Sequence, residues 1–260
     1  MTPLVFCVAG TDPSGGAGLA ADGRVCAAHG CYGMGVVTAV VAQSTLGVSG
    51  YEGVTAQAVT AQWDALRADC APAAVKVGML GSAEVARAVA GRLAQARAEG
   101  APVVYDPVLR SGHDAALSRQ GLIEAVREAL LPDGVDVLTP NVPEAQALLG
   151  VEITSAREMM AAAARLQAMG PRGVLLKGGH LDGSGDAWAW QGRVTWLANE
   201  EVWEGLDVHG TGCHLSTALA CALARAPQDG EGAARAARAF LAQRLRAARW
   251  RPGRGREVLG

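Results

Sequence analysis

Short apolar runs alternate with longer amphipathic stretches through most of the 260 residues. Runs at 4–9, 35–42, 74–77, 103–105, 135–138 and 173–176 read as strands. Helix-like stretches fall near 16–29, 56–70, 82–98, 119–131 and 155–169. Ser82 and Ser118 stand where N-caps belong, and Gly100 and Gly170 where helices end. The strand runs show no polar alternation, as expected when both faces of a sheet are covered. This order predicts a mostly parallel sheet flanked by helices.

One region departs from the rhythm. Trp188, Trp190, Val194 and Trp196 alternate around Gln191-Gly192, which predicts a β-hairpin, antiparallel and at the sheet edge. Its aromatics suit wedging against the next helix better than stacking on a base. The chain shows no repeat, low-complexity segment or linker, so one domain over residues 1–260 is the simplest account.

Composition adds exclusions. Half of the residues are apolar and 18% are charged, enough for a large core and too ordered a composition for disorder. A net charge of −2 gives no reason to expect nucleic acid or an acidic membrane surface as partner. The Arg-rich stretch 235–256 reads as the solvated face of a helix. An apolar start without a basic leader argues against secretion, and no run has the roughly 18 apolar residues of a membrane span. A cytoplasmic location is expected. The six cysteines lack CxxC spacing and read as free thiols rather than disulfides or a zinc site.

The chemistry gathers where strands end, the place where open parallel sheets bind ligands. The first strand leads into Gly10-Thr11-Asp12-Pro13-Ser14-Gly15-Gly16-Ala17-Gly18. Later strand ends carry Lys76-Val77-Gly78-Met79, Asp106-Pro107-Val108, Thr139-Pro140-Asn141-Val142-Pro143-Glu144 and Lys177-Gly178-Gly179-His180. The first loop matches neither a Walker A loop nor a dinucleotide fingerprint. It is a tight strand-to-helix turn or, given its four glycines, a mobile flap over a ligand.

Gly210-Thr211-Gly212-Cys213 precedes an apolar helix through Leu215, Leu219 and Leu223. Free N–H groups and the helix dipole make such a turn an anion site, able to stabilise a phosphoryl group in transfer. The same field is expected to lower the pKa of Cys213 and favour thiolate. Lys177 is one of two lysines and suits a phosphate; Lys76 shares the context but equally suits a buried stem with a solvated head. Asp106, Asn141 and Glu144 offer oxygens to magnesium, while Asn141 and Glu144 alternatively cap a helix after Pro143. Of the histidines, His29 ends a helix, His113 and His214 read as surface groups, and His180 and His209 flank the phosphate loops.

Together these motifs resemble the hydroxymethylpyrimidine/phosphomethylpyrimidine kinases of thiamine biosynthesis. The likeness begins at Ala9–Gly18 with Ala21-Asp22 and continues through Thr38-Ala39, Ala42-Gln43-Ser44-Thr45 and Lys76–Leu80. It then takes in Asp106–Val108, Thr139–Asn141, Pro143–Ala145, Lys177–His180 and His209–Cys213. The resemblance implies a ribokinase-like three-layer α/β/α sandwich with an antiparallel edge hairpin. It implies transfer of the ATP γ-phosphoryl group to 4-amino-5-hydroxymethyl-2-methylpyrimidine and then to its monophosphate, with Mg2+, in a homodimer.

By that resemblance Gly10, Ala17, Gln43, Met79 and Val108 form the pyrimidine pocket, with Gln43 on the aminopyrimidine edge. Asp22 also contacts the substrate, and Asp22 and Lys177 lie near the transferring phosphates. Asn141 and Glu144 organise metal and phosphate, Asp106 is a further metal candidate, and Cys213 stands where related sugar kinases use a basic Asp. Residues 109–114 form a shorter loop than in many members. Pyridoxal kinase is the nearest alternative, and a non-catalytic pyrimidine-binding protein a more distant one.

Overall fold

The run Leu-Val-Phe-Cys-Val-Ala contains no polar side chain, and it forms β1 (Leu4–Ala9), covered on both faces. In the computed structural model the described residues are 2–109, 121–179, 181, 185–199, 201, 207–247 and 249–260. After β1 come α1 (Gly18–Ala28), β2 (Tyr32–Val37), β3 (Ala39–Ser44), β4 (Gly47–Gly53) and α2 (Ala56–Asp69). Next are β5 (Ala74–Val77), α3 (Ala83–Ala98) and β6 (Val103–Tyr105). A short α4 (Leu122–Ala125) runs into a π-helical turn (Val126–Leu130), followed by β7 (Val137–Leu138), α5 (Val142–Leu149) and α6 (Ala156–Gln167). The rest comprises β8 (Gly173–Leu176), β9 (Gly185–Trp190), β10 (Arg193–Ala198), β11 (Val208–His209), α7 (Thr211–Leu223), α8 (Gly230–Ala247), β12 (Arg249–Trp250) and β13 (Glu257–Leu259).

Eight strands form the main sheet in the order β10-β9-β8-β7-β6-β5-β1-β2. β2 to β8 of this sheet are parallel, and β9 and β10 close it as an antiparallel hairpin. Alternation along the strands sends residues to two cores. Phe6, Val8, Val75 and Val77 pack with α2, α3 and α6, whereas Val5, Cys7, Ala74 and Val104 pack with α1, α7 and α8. This is the three-layer α/β/α arrangement read from the sequence. Because β1 is flanked by β2 and β5, the strand order reverses there, and the loops at the carboxyl ends diverge to leave a crevice.

Local chemistry explains the boundaries. Thr55, Ser82 and Ser155 cap α2, α3 and α6 by accepting a backbone N–H, replacing an otherwise missing helical partner. Gln191 and Gly192 both have positive φ, 49° and 84°, as a two-residue type I′ hairpin turn demands. Trp188 stacks on Trp190, and a Cβ on Gly230 at the start of α8 would meet the Trp190 ring at 2.5 Å. The Trp190 ring thus wedges against α8, the second helix after the hairpin, and the next in sequence is α7. The proposed cap Ser118 lies outside the described residues, as do His113, His180 and most of the 109–114 loop.

Three readings are corrected. The run 35–42 is two strands, because buried Thr38 turns its hydroxyl to the Met79 carbonyl and its N–H to Ala9. β2 stays in the sheet while β3 leaves to pair with β4 in a separate hairpin. The strand expected at 135–138 is confined to Val137–Leu138. The Arg-rich C-terminal stretch is helical only to Ala247; beyond it Pro252, Gly253 and Gly255 end helix formation. There β13 pairs in parallel with β11 and antiparallel with β12.

Candidate active site

The carboxyl ends of β1, β5, β6, β7 and β8 open on one cleft of about 220 Å³. Gly10, Ala17, Val41, Gln43, Met79 and Val108 line one part of it, mostly apolar. Lys76, Asp106, Asn141, Glu144, Lys177 and Gly210–Cys213 line the rest. The β3–β4 hairpin supplies Val41, Gln43, Ser44, Gly47 and Val48, so this hairpin, rather than the first glycine loop, forms the overhanging wall.

The first loop is tied down, contrary to the flap reading. Asp12 accepts the N–H and hydroxyl of Ser14 at 2.9 and 2.7 Å and the N–H of Ala17 at 2.8 Å. It also contacts His209 Nε2 at 2.9 Å. Burial works against the charged carboxyl, but the bonds from His209, Ser14 and Ala17 outweigh it and hold its pKa below the ordinary value. Two glycines are required where this loop meets the second one. Gly18 has φ +57° and Gly210 φ +87°, and a Cβ would lie 2.4 Å from the Gly10 oxygen or 1.8 Å from the Gly16 oxygen. The two glycine motifs therefore pack backbone against backbone.

Gly210 caps α7, and the first helical bond there runs from the His214 N–H to the Gly210 carbonyl at 3.0 Å. The amides of Thr211, Gly212 and Cys213 precede that ladder and sit at the positive end of the helix dipole. A Cβ on Gly212 would stand 3.2 Å from Asp106 Oδ2 and 3.4 Å from Lys177 Nζ. The anion-binding turn thus lies directly against a charged pair. Lys177 Nζ donates to Asp106 Oδ1 at 2.8 Å, and Thr139 donates to the same oxygen at 3.2 Å. Burial opposes the Lys177 charge, but Asp106 and Glu144 outweigh it and keep the ammonium protonated.

A second pair lies deeper. Lys76 and Asp22 are both fully buried, with Nζ 3.0 Å from the carboxylate, and Thr217 donates to Asp22 at 2.7 Å. Desolvation works against the Lys76 charge and Asp22 more than restores it, so its pKa is raised. Asp22 itself is sealed beneath the cleft, so the substrate-contact role expected for it is corrected. It is the counter-ion of Lys76, which borders the cleft while its side chain is itself fully buried, so the solvated head allowed for Lys76 is corrected as well.

Cys213 overturns another expectation. Burial pushes its thiol up to about 11, the Lys76 charge opposes this, and the Gly18 N–H donates to the sulfur. Burial and the nearby carboxylates outweigh Lys76 and the Gly18 N–H, so the resting group is a thiol rather than the thiolate expected from the helix start. Glu144 is likewise raised, to about 7, by burial, with Lys177 opposing and Asp106 reinforcing. Asn141 and Glu144 do form a reciprocal capping box on α5, at 2.9 and 2.8 Å, while also facing the cleft. The two readings of this pair are compatible. Isolated bridging of Asn141 to Lys177 carries the sheet pairing into the site.

The pattern of the family described as phosphomethylpyrimidine kinase matches residues 12–259. The chain is 42% identical over 240 residues to the hydroxymethylpyrimidine/phosphomethylpyrimidine kinase of Streptomyces coelicolor, covering 92% of this chain and 87% of that protein. It belongs to the phosphomethylpyrimidine kinase family. The crystal structure of phosphomethylpyrimidine kinase from Clostridium difficile 630 superposes with a TM-score of 0.81 at 31% identity, covering 94% of this chain and all of that one. Pyridoxal kinase from Bacillus subtilis, in an ADP complex, gives a TM-score of 0.87 at 25% identity, with 100% and 97% covered. Backbone shape alone thus does not separate pyrimidine from pyridoxal kinases.

Within this kinase site, several residues were not singled out from sequence. Asp12, Val41, Val48 and Arg256 line the cleft, alongside His209, which the sequence does place beside a phosphate loop. The Asp-x-Ser spacing at Asp12 is the one legible signal, since a carboxylate followed two residues on by Ser favours a local turn. Arg256 arrives in the connection just before β13, where an arginine-rich run gave no sign of a return to the site. His214 is corrected from surface to core: it is 1% exposed, bonds the Gly210 carbonyl at 2.9 Å, and burial lowers its pKa to about 4. Cys7, Cys26, Cys31 and Cys221 are buried free thiols, and His29 ends α1.

The donors also test a metal. Among the described residues no group of three His, Cys, Asp or Glu could hold an ion. Asp106 and Glu144 remain as one or two carboxylates beside the anion turn. That set fits magnesium carried by nucleotide phosphates and retaining waters, and does not form an all-protein cage.

Proposed function

We propose that the chain transfers the γ-phosphoryl group of ATP to the CH2OH of 4-amino-5-hydroxymethyl-2-methylpyrimidine, and then to the monophosphate so formed. The observation that carries this reading is the joining of two surfaces in one cleft. An apolar slot of Gly10, Ala17, Val41, Met79 and Val108, with Gln43 as a polar group, meets the Lys177 and Gly210–Cys213 anion site. A flat heteroaromatic ring fits the first and a transferring phosphoryl the second. Gln43 hydrogen-bonds the aminopyrimidine edge. The relatives named for this activity share about two-fifths of their residues with the chain.

The amides of Thr211, Gly212 and Cys213 and the Lys177 ammonium stabilise the charge of the phosphoryl group in flight. Asn141 and Glu144 orient the nucleotide phosphates, with Asp106 and Glu144 as the candidate carboxylates for Mg2+. When bound with ATP, that ion neutralises phosphate charge. Cys213 hydrogen-bonds the acceptor hydroxyl. In its thiolate form, reached by losing the thiol proton to solvent, it takes the hydroxyl proton as the new O–P bond forms and the γ-phosphoryl's bond to the β-phosphate oxygen breaks, releasing ADP. Since the thiol's pKa is about 11, proton acceptance becomes easier as pH rises. The monophosphate acceptor is largely ionised at neutral pH, with a second pKa of about 6, and makes no such demand.

A homodimer is part of the reading. Tyr32, Val40 and Leu46, on or beside β2 and β3, are 60%, 56% and 61% exposed and supply apolar surface for a second copy. Sedimentation equilibrium checks it: monomer mass at micromolar concentration contradicts it.

The alternative, pyridoxal as principal acceptor, draws on the likeness to pyridoxal kinase. Comparison of kcat/KM for the two acceptors decides between them. The pyrimidine is expected to be preferred by at least about tenfold, one hydrogen bond's discrimination. A preference for pyridoxal overturns the pyrimidine assignment.

A further inference from the structure

Three segments distant in sequence converge on one imidazole nitrogen. His209 Nε2 lies 2.9 Å from Asp12 Oδ2 and in close hydrogen-bonding contact with the end of the Gln43 side chain. Asp12 belongs to the first glycine loop, Gln43 to β3 of the overhanging hairpin, and His209 to β11, one residue before the anion-binding turn. All three line the cleft. The ring is wedged in place: a Cβ on Gly16 would meet His209 Cδ2 at 2.6 Å and Val258 of β13 at 2.8 Å.

The proton count on this nitrogen is restrictive. An ionised carboxylate only accepts hydrogen bonds, so the contact with Asp12 requires a proton on Nε2. A protonated Nε2 has no lone pair with which to accept from an amide N–H. The structure sets Gln43 Nε2 against the ring; because two N–H donors cannot bond each other, the amide is assigned with its ends exchanged, its carbonyl oxygen sharing the His209 Nε2 proton with Asp12. The two ends of a side-chain amide exchange by a half-turn, so this arrangement selects one orientation. It leaves the Gln43 NH2 to be offered as donor to a ligand. The Asp12 carboxylate is itself fixed by Ser14 and Ala17, so the selection is anchored in the first loop.

We infer that His209 is a positioning residue for acceptor recognition: clamped by Asp12, it fixes which end of the Gln43 amide faces the acceptor ring. The inference rests on the proposed pyrimidine-binding role of Gln43. It makes the ring-reading group and the anion-binding turn parts of one hydrogen-bonded unit, with a ring nitrogen on the acceptor as the complement of the NH2.

The test is a double-mutant cycle read as KM for hydroxymethylpyrimidine and, separately, KM for ATP. Gln43→Ala is expected to raise the acceptor KM about tenfold, the worth of one directed hydrogen bond. His209→Ala should raise it by a similar factor and leave the ATP KM within about twofold, and the double variant should be no worse than either single one. His209→Gln carries an amide NH2 at the reach of Nε2, with one hydrogen each for Asp12 and Gln43, and should recover most of the loss. A role confined to packing against Gly16 predicts no rescue by Gln. Losses that multiply to about a hundredfold, a loss carried by the ATP KM, or failure of the Gln rescue overturns the inference. Absence of transfer by the wild-type chain overturns the pyrimidine reading as well, whereas wild-type transfer with multiplied losses overturns this inference alone.

Discussion

The chain has two lysines, and each is paired with an aspartate at the end of a parallel strand, yet the two pairs do different work. Lys76 and Asp22 have no exposed side-chain surface, whereas Lys177 is 18% exposed above a nearly buried Asp106. In the deeper pair every carboxylate oxygen is committed, to Lys76 and to Thr217. In the upper pair the ammonium keeps a free side toward the Gly210–Cys213 turn. Identical chemistry is thus divided by depth alone. The buried pair sets the local field and holds β5 to α1 and α7; the upper one meets the ligand. Strand-end position by itself does not distinguish them, because burial is set by the helices that pack above each strand.

Separate substitutions divide the pairs. Lys177→Met should lower kcat by about 10^3-fold, near the lower end of what a cation on a transferring phosphoryl group supplies. Steady-state turnover at saturating ATP measures it, and a drop under tenfold removes Lys177 from the transferring charge. Lys76→Met should instead act on stability, by about 3–5 kcal/mol, because it strands a buried carboxylate. Lys76→Met with Asp22→Leu should recover much of that loss in urea melts. If the double variant is as unstable as the single one, the pair is not an isolated ionic unit.

Cys213→Ala, at the boundary between the pairs, should lower the first transfer by about 10^2-fold and the second by less than about threefold. Single-turnover assays with each acceptor read this directly; equal losses refute the proton-acceptor role. With the thiol at about 11, the wild-type first transfer should also rise with pH between about 7 and 9, and the Ala variant should lose that rise.

The smallest effect concerns Glu144, whose folded value of about 7 exceeds the ordinary 4.5. Its contribution to stability is therefore full below about pH 4.5 and lost as pH climbs through about 7. Glu144→Gln keeps the capping geometry without the titration. The gap in Tm between wild type and variant should move against the wild type from pH 5 to pH 8, by about 1–2 kcal/mol in equivalent stability. A pH-independent gap contradicts the burial argument.

The sheet was largely legible in the sequence, because strands buried on both faces are short unbroken apolar runs and their helices carry capping residues. What was not legible came from tertiary competition. Thr38 reads as an ordinary strand residue until the Met79 carbonyl is placed opposite its hydroxyl. The strand ends identified most of the cleft, yet depth decided against Asp22 as a ligand contact and against Cys213 as a resting thiolate, since desolvation appears only when the chain is packed. Arg256 enters the cleft, and His209 is held there, through the small sheet in which β11 pairs with β13 from about 48 residues further on, a pairing for which local periodicity gives no signal.

The central claim joins an ATP-fed anion turn to a pyrimidine slot, and mass analysis of the products tests it most directly. Incubated with 4-amino-5-hydroxymethyl-2-methylpyrimidine, ATP and Mg2+, the purified chain should yield the monophosphate first and the diphosphate after it, with ADP formed in step with each phosphoryl group gained. ATP consumption with the pyrimidine left unmodified, or no ATP consumption at all, would contradict the account.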